Sequence, residues 1–337
     1  MTFSHRLLLV TPAFHGYHRS IARAFSARGY DVVTHCYDAF ATLGEKFRNK
    51  ALIELPSRFG ADTYEAARAW STARALAALT EANPTRLVVI KGDTLGGDFW
   101  HEVASRGLPR ILWLYDDVAR HHFDDSFLRW IGPVVSYARS EAAELVARGV
   151  AASFIPNAFD PDLARPSSRR SGEVVFVGSR YPNRVALLAA LREAGLPIRA
   201  YGRQWSHHPF DRLRTWELSR PALQSERDIP LARAYSVQAE AAAALNVHGL
   251  QAGLAMRSFE VPGMGGLQLV DRPDIAEFYE VGTEALVFGS TDELVDLATR
   301  SLRDRAWSER IRAAGRRRSL AEHTFAHRIS QVDSLWA

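Results

Sequence analysis

The sequence predicts an α/β protein made of two doubly wound, Rossmann-like domains. Three observations predict it. Apolar strand-like runs alternate with helical patterns through the first half. A cluster of chain breakers then interrupts the alternation, and after it the same alternation starts again. A chain of 337 residues has material for two cores.

In the first half, Arg6–Thr11 is an apolar strand and Gly16–Arg28 a helix that Gly29 ends. Asp31–His35 is the next strand. A turn-rich stretch leads to a long helix over Thr63–Ala82, with Trp70, Ala73, Leu76, Ala77 and Leu79 broadly at helical spacing and Pro84 beyond its end. Arg86–Ile90 is a buried type of strand running into Lys91-Gly92-Asp93. A helix over Asp98–Ser105 precedes the strand Arg110–Tyr115, which stops at Asp116-Asp117. Val134–Ser136, a helix over Glu141–Arg148 and Ser153–Ile155 complete the half. The breakers are Pro156-Asn157-Ala158-Phe159-Asp160-Pro161, followed by Pro166 and a Ser/Arg-rich run to Gly172. Residues 1–160 thus form the first domain and 161–172 the linker.

The second half opens with the strand Glu173–Val177, the turn Gly178-Ser179-Arg180, a helix over Asn183–Ala194 and the strand Pro197–Tyr201. The stretch Arg203–Arg227 is polar and aromatic and fits neither period. Leu231–Ala242 is a helix. Then comes a strand–loop–helix–Gly–strand unit from Asn246 to Val270, carrying Arg257, Glu260, Gly265 and Gly266. Helices over Asp274–Tyr279 and Thr291–Arg303 flank the strand Ala285–Phe288. Two helices finish the chain, Trp307–Leu320 and about His323–Leu335. The second domain spans 173–320, and 321–337 is a last helix.

Composition narrows the function classes. Apolar residues make up 47% and charged residues 24%, an ordinary soluble composition. The single cysteine, Cys36, cannot form an intrachain disulfide, which fits a reducing compartment. The apolar run Leu7–Val10 is too short for a signal-peptide core, so the expectation is a cytoplasmic protein. A net charge of +4 with dispersed arginines gives no footprint for nucleic acid. Arg316-Arg317-Arg318 reads as a solvated helix face, with contact to an anionic membrane surface as the alternative. The pairs His121-His122 and His207-His208 lack partners at metal-ligand spacing, so neither a metal nor another cofactor is expected. The P-loop, GxGxxG and GxSxG motifs are all missing.

In a doubly wound domain, ligands sit outside the carboxyl ends of the strands. Each domain would present that crevice to a cleft between the two. Gly178, Ser179 and Arg184 can cradle a diphosphate, since glycine admits close backbone approach and Arg binds phosphate bidentately. A tight turn with solvated arginines accounts for them equally well. His15 follows the first strand and can serve as a general base, with capping or core roles as the alternative. Asp116 and Asp117 can bind acceptor hydroxyls or act as base, or simply cap a helix. Glu260 can accept hydrogen bonds from vicinal sugar hydroxyls, or pair with Arg257 at i,i+3.

Several segments resemble the CgeB-like glycosyltransferases. They are Phe176-Val-Gly-Ser179 with Arg184, Leu245-Asn246-Val-His248, Met256-Arg-Ser-Phe-Glu260 with Gly265-Gly266, Glu277-Phe-Tyr with Gly282-x-Glu284, and Glu322-His-Thr-Phe-Ala-His-Arg328. Trp113-x-x-Asp116-Asp117 and Ile155-Pro-Asn157-Ala158 are similar to that family's first domain and linker. The resemblance implies the GT-B fold, two Rossmann-like domains facing each other across a cleft. It implies metal-independent transfer of a hexose-type unit from a nucleoside diphosphate sugar to a hydroxyl of a small-molecule, lipid or glycan acceptor. Glu260 would bind the nucleotide ribose. Gly178, Ser179 and Arg184 would lie near the diphosphate, with Asn246, His248, Arg257, Gly265 and Gly266 completing the donor pocket. Domain closure would exclude water, and the final helix would cross back to the first domain. Retaining relatives in the wider superfamily carry Glu eight residues before the ribose Glu. Here that position is Ala252, which leaves retention and inversion both open. An epimerase or hydrolase on the same fold, and a non-catalytic nucleotide-sugar-binding protein, are the alternatives.

Overall fold

The computed structural model describes residues 5–39, 44, 47–48, 50–59, 62–163 and 167–336. Residues 164–166 of the expected linker, with Pro166, and parts of the turn-rich stretch after Cys36 lie outside the described residues. The chain divides into two compact units. One is Met1–Pro156 with Arg328–Ala337, the other Asn157–His327.

The first unit holds a six-stranded sheet: β1 (His5–Thr11), β2 (Tyr30–Cys36), β3 (Arg86–Ile90), β4 (Arg110–Trp113), β5 (Val134–Ser136) and β6 (Ala152–Phe154). Its order is β2-β1-β3-β4-β5-β6 and every pairing is parallel. Parallel strands need crossovers, and α1 (Tyr17–Ala27), α2 (Tyr64–Ala82), α3 (Gly97–Ser105), α4 (Asp125–Ile131) and α5 (Arg139–Ala147) lie between them. One face of the sheet sends Leu8, Val10, Leu87, Val89, Leu112 and Leu114 into a core with Leu79, Phe99, Trp100 and Leu145. These strands read as unbroken apolar runs because helices cover a parallel sheet on both faces. The terminal residues belong to this unit. Asp333 accepts from Arg28 Nε at 2.6 Å and from the Tyr30 hydroxyl. The Arg86 guanidinium lies 4.7 Å above the Trp336 ring.

The second unit repeats the design with β7 (Val174–Val177), β8 (Ile198–Tyr201), β9 (Gln224–Glu226), β10 (Ala243–Asn246), β11 (Gln268–Val270) and β12 (Leu286–Val287). The order is β12-β11-β10-β7-β8-β9, again all parallel. Its helices are α6 (Pro182–Glu193), α7 (Pro209–Thr215), α8 (Leu231–Glu240), α9 (Arg257–Gly263), α10 (Thr291–Arg303), α11 (Arg305–Glu322) and α12 (Phe325–Asp333). Val174, Phe176, Ala243 and Leu245 enter one core, while Val175 and Ala244 enter another on the opposite face. That is the two-residue alternation of a strand. The chain leaves this unit within α12.

The fold is the expected two-sheet α/β architecture. Differences lie at weakly patterned segments. α4 fell within unassigned sequence, and its start is fixed by Asp124, whose side chain accepts from Phe127 N. The unassigned stretch Arg203–Arg227 contains α7 and the polar edge strand β9. Of the arginine triplet, Arg318 pairs with Glu284 and Glu322, and Arg316 donates to the Gly263 carbonyl at 3.5 Å. Arg317 is exposed. Among the described residues, no helix is long and apolar enough to cross a membrane.

Candidate functional site

In the second unit β7 and β10 are neighbours, with successive strands running outward from each. Their carboxyl ends therefore flank a topological switch point. After β7 the backbone turns at Gly178, with φ +151°, beside Gly202, with φ +146°, after β8. A Cβ on Gly202 would stand 2.8 Å from the Gly178 carbonyl oxygen, and one on Gly178 would stand 2.7 Å from Arg257 Nη1. Only glycines let these two strand ends and the arginine approach so closely. Trp205 Nε1 donates to the Gly178 carbonyl at 2.8 Å, and Arg180 N donates to Gln204 Oε1 at 3.0 Å.

Arg184, one turn into α6, ties the two strand ends together. Its Nε and Nη2 donate to the Val247 carbonyl at 3.0 and 2.7 Å, and its Nη1 to the Ser179 carbonyl at 2.9 Å. Burial pushes its pKa down to about 10, with the charge of Arg257 adding to the effect. Asn183 Nδ2 donates to the His248 carbonyl at 3.0 Å. Arg184 is thus committed to backbone carbonyls and shapes the loop after Gly178.

His248 is buried and fixed on both sides. Asp271, at the end of β11, lies 2.8 Å from His248 Nδ1 and accepts from its backbone N–H at 2.9 Å. Ala255 N donates to Nε2 at 3.1 Å, so Nε2 is the acceptor and Nδ1 carries the proton. Burial lowers the His248 pKa. Burial alone would raise that of Asp271, but the hydrogen bonds and charge of His248 hold it below the usual carboxylate range. His248 thereby clamps the loop to Ala255, in which Ala252 is exposed. Asp271 escaped the sequence reading. The signal was a carboxylate directly after an apolar strand.

Asn246 is buried, its Nδ2 donating to Ser258 Oγ at 2.9 Å and Gln268 Oε1 at 3.2 Å. Its side chain ties α9 to the sheet inside the unit. Arg257 opens α9, donates to the Val177 carbonyl, and lies 5.4 Å from the Phe176 ring centre. Glu260 sits one turn on and is 3% exposed. Gly265 and Gly266 occupy a different place from the rest. They precede β11 and lie at the amino edge of the sheet, away from the strand ends that frame the switch point. A Cβ on Gly266 would meet the Val261 and Gln238 carbonyls at 2.9 Å, so this glycine lets α9 pack against the end of α8. The Gly265 carbonyl accepts from Arg312 Nη1 at 3.1 Å. The motif that suggested a pocket is, by its geometry, a packing device.

The first unit also places its candidates at strand ends, with different construction. His15, Lys91 and Tyr115 follow β1, β3 and β4, three adjacent strands, and have φ of +46°, +61° and +60°. Non-glycine residues there are strained, and such strain collects at functional sites. His15 is exposed and stands edge-on to Phe14 at 4.3 Å. Asp116 lies 3.3 Å from both Lys91 Nζ and Arg120 Nη1. Asp117 is buried and accepts from the Tyr137 hydroxyl at 2.5 Å. Glu141, which the sequence did not single out, accepts from Ser136 Oγ at 2.5 Å and Val118 N at 2.6 Å. Burial pushes its carboxyl up. His121 is buried on Phe123, with Nδ1 3.9 Å from Asp93, and burial lowers its pKa. Among the described residues no three metal-ligating side chains gather as a candidate metal site.

The second unit's geometry is that of a doubly wound α/β domain with its switch point at the β7/β10 edge. Residues 180–334 match a family described as glycosyl transferase-like. That stretch runs from the loop after β7 through α12. No curated protein matches the chain in sequence. Among solved structures, the chain is similar to sucrose-phosphate synthase from Thermosynechococcus elongatus, with a TM-score of 0.68, 14% identity and 98% of each chain covered. It is also similar to HepE from Anabaena, solved with UDP and glucose, with a TM-score of 0.61, 12% identity and 98% of each chain covered. A third similar structure is AviGT4, a glycosyltransferase involved in avilamycin A biosynthesis, with a TM-score of 0.59, 16% identity, and 98% and 97% covered. At such identities the likeness is one of fold, and the fold is GT-B.

Proposed function

We propose that the chain is a CgeB-like glycosyltransferase of the hexosyl type. It would move a sugar from a nucleoside diphosphate sugar to a hydroxyl of a small-molecule, lipid or glycan acceptor. One observation carries this reading: the glycosyl transferase-like match, residues 180–334, includes Arg184, His248, Arg257, Glu260 and Asp271 around the switch point. HepE has been solved with UDP-glucose, which supports the donor class and makes UDP-glucose the first donor to try.

In the reaction, the acceptor oxygen bonds to the anomeric carbon as the bond from that carbon to the diphosphate oxygen breaks. The bonding pair leaves with the nucleoside diphosphate, and the acceptor proton passes to a base, which we assign to His15. Asp116 and Asp117 would orient acceptor hydroxyls. Glu260 would accept hydrogen bonds from the nucleotide ribose. The backbone at Gly178 and Ser179, with the Arg257 guanidinium, would meet the diphosphate and offset its developing charge without a bound metal. Arg184 and His248 would act by holding these loops in place, as Asn246 holds α9.

Calorimetry with UDP, GDP, TDP and their sugars tests the donor site. Glu260→Gln should weaken the preferred nucleotide roughly tenfold or more, the loss of a charge-assisted hydrogen bond. Undiminished affinity would remove the role given to Glu260. Donor turnover without any acceptor would favour an epimerase or hydrolase. Binding without turnover across a broad acceptor panel would favour a non-catalytic protein.

A further inference from the structure

The excursion between β8 and β9 carries a cluster of exposed apolar side chains. Phe210, Leu213, Trp216 and Leu218 are 54, 62, 74 and 77% exposed within twelve residues of His207. Phe210 and Leu213 are one turn apart on α7. Trp216 ends that helix with φ +56°, a left-handed conformation strained for a bulky residue. Scattered apolar residues on a surface mean little, but two aromatics and two leucines all exposed within residues 210–218 mark an interaction face.

The charges around it are one-sided. Asp211 is neutralised by Arg227 at 2.8 Å, and Glu217 by Arg180 at 2.6 Å and Arg220 at 2.9 Å. Arg214, His207 and His208 are exposed beside the apolar group, and Arg212 stands against His207. Arg227 lies 5.8 Å from the Phe210 ring centre. A patch that is apolar at its centre and cationic at its rim complements an anionic lipid surface, where side chains of both kinds contribute to binding. Leucines and paired acids do not suit a glycan platform, which needs polar groups free to meet hydroxyls.

We propose that Phe210, Leu213, Trp216 and Leu218 seat the second unit on an anionic membrane surface, with Arg212 and Arg214 meeting the headgroups. The inference does not depend on the transfer reaction. The patch is also tied to the β7 edge: Glu217 holds Arg180, two residues beyond Gly178. Docking would bring that edge to the membrane surface.

The test is cosedimentation of the full chain with vesicles of equal phosphatidylglycerol and phosphatidylcholine, against phosphatidylcholine alone. Binding to the anionic vesicles, weakened at least about tenfold by Leu213→Ser with Trp216→Ser and by Arg212→Gln with Arg214→Gln, supports the proposal. Unchanged thermal midpoints and nucleotide affinity in the variants show that the fold is intact. No binding to either vesicle, or binding that both variant pairs leave untouched, overturns it. So does a concentration-dependent dimer that the leucine and tryptophan changes abolish, since a second copy would then be the occupant.

Discussion

The two units end their central strands in opposite ways. At the β7/β10 edge, buried side chains are spent on backbone. Arg184 serves the Val247 and Ser179 carbonyls, His248 the Ala255 N–H, and glycines sit where backbones nearly touch. At the β1/β3/β4 edge, three non-glycine residues are held at positive φ, and the charges that meet there, Lys91, Asp116 and Arg120, are part-exposed side chains pairing with one another. The first edge is preformed by hydrogen bonds from buried side chains to backbone, buried at Val247 and part-buried at Ser179 and Ala255. The second stores strain and keeps its polar groups within reach of solvent. That contrast suits the proposed roles, since a donor site needs fixed loops to hold one nucleotide, whereas an acceptor site must leave reactive groups available.

Breaking the preformed edge should cost the most. Arg184→Met removes the donors from the buried Val247 carbonyl and from the part-buried Ser179 carbonyl and should lower unfolding free energy by about 3 kcal/mol, the scale of charge-assisted hydrogen bonds lost from a largely buried site. Urea unfolding reads this directly. A loss under about 1 kcal/mol would mean that Arg184 is replaceable and that the two edges are built alike.

Gly202→Ala comes next. The new Cβ would stand 2.8 Å from the Gly178 carbonyl oxygen at φ +146°, so backbone must move. We expect about 2 kcal/mol of destabilisation, together with weaker nucleotide binding as the Gly178 turn shifts. A thermal shift with UDP present and absent separates the two effects.

These two residues show what the sequence could reveal. Leu7–Val10 and Leu87–Ile90 announce buried strands, and the restart at Val174 announces the second sheet, because parallel strands leave an unbroken apolar record. β9 leaves none. Gln224-Ser225-Glu226 pairs only with β8, at the sheet edge, and has little to bury. At the site, residue type and position after a strand drew attention to Arg184 and His248, yet their partners are carbonyls and N–H groups far along the chain. Backbone partners carry no sequence signature, so a diphosphate cradle and a loop clamp look alike until folded. Gly265-Gly266 misled for a related reason. A glycine required for helix packing and one required for ligand approach are written with the same letter.

Acid should act on the second unit through His248. Its pKa is lowered on folding, so the unfolded chain takes up the proton first as pH falls below the ordinary histidine value of 6.5. The stability contributed by neutral His248 is complete above pH 6.5 and is lost on the acid side, until the folded protein titrates too. Protonation would also remove the Nε2 acceptor for Ala255 N–H and free the loop that begins at His248. Asp271, lowered as well, adds a loss of the same sign below 3.8. Amide exchange at Ala255 should quicken between neutral pH and pH 5 after correction for intrinsic rates, and His248→Gln should flatten that dependence. An exchange rate indifferent to pH would mean that the clamp does not govern the loop.

The smallest change in stability is expected at the strained edge, and its sign is reversed. His15 is exposed and held at φ +46°, a conformation that costs an ordinary residue about 1–2 kcal/mol and glycine little. Glycine gives some of that back through the freedom it gains in the unfolded chain. His15→Gly should therefore stabilise the first unit by about 0.5–1 kcal/mol. If His15 takes the acceptor proton, the same change should lower kcat on the order of a hundredfold. His15→Ala separates the two effects, since it loses the imidazole but keeps a Cβ at positive φ. It should match the glycine variant in turnover and fall short of it in stability. Equal stability of the two variants would show that the turn relaxes around any residue, and the strain would carry no meaning. Full turnover in both would move the base to another group on this edge, with Asp116 the first to try.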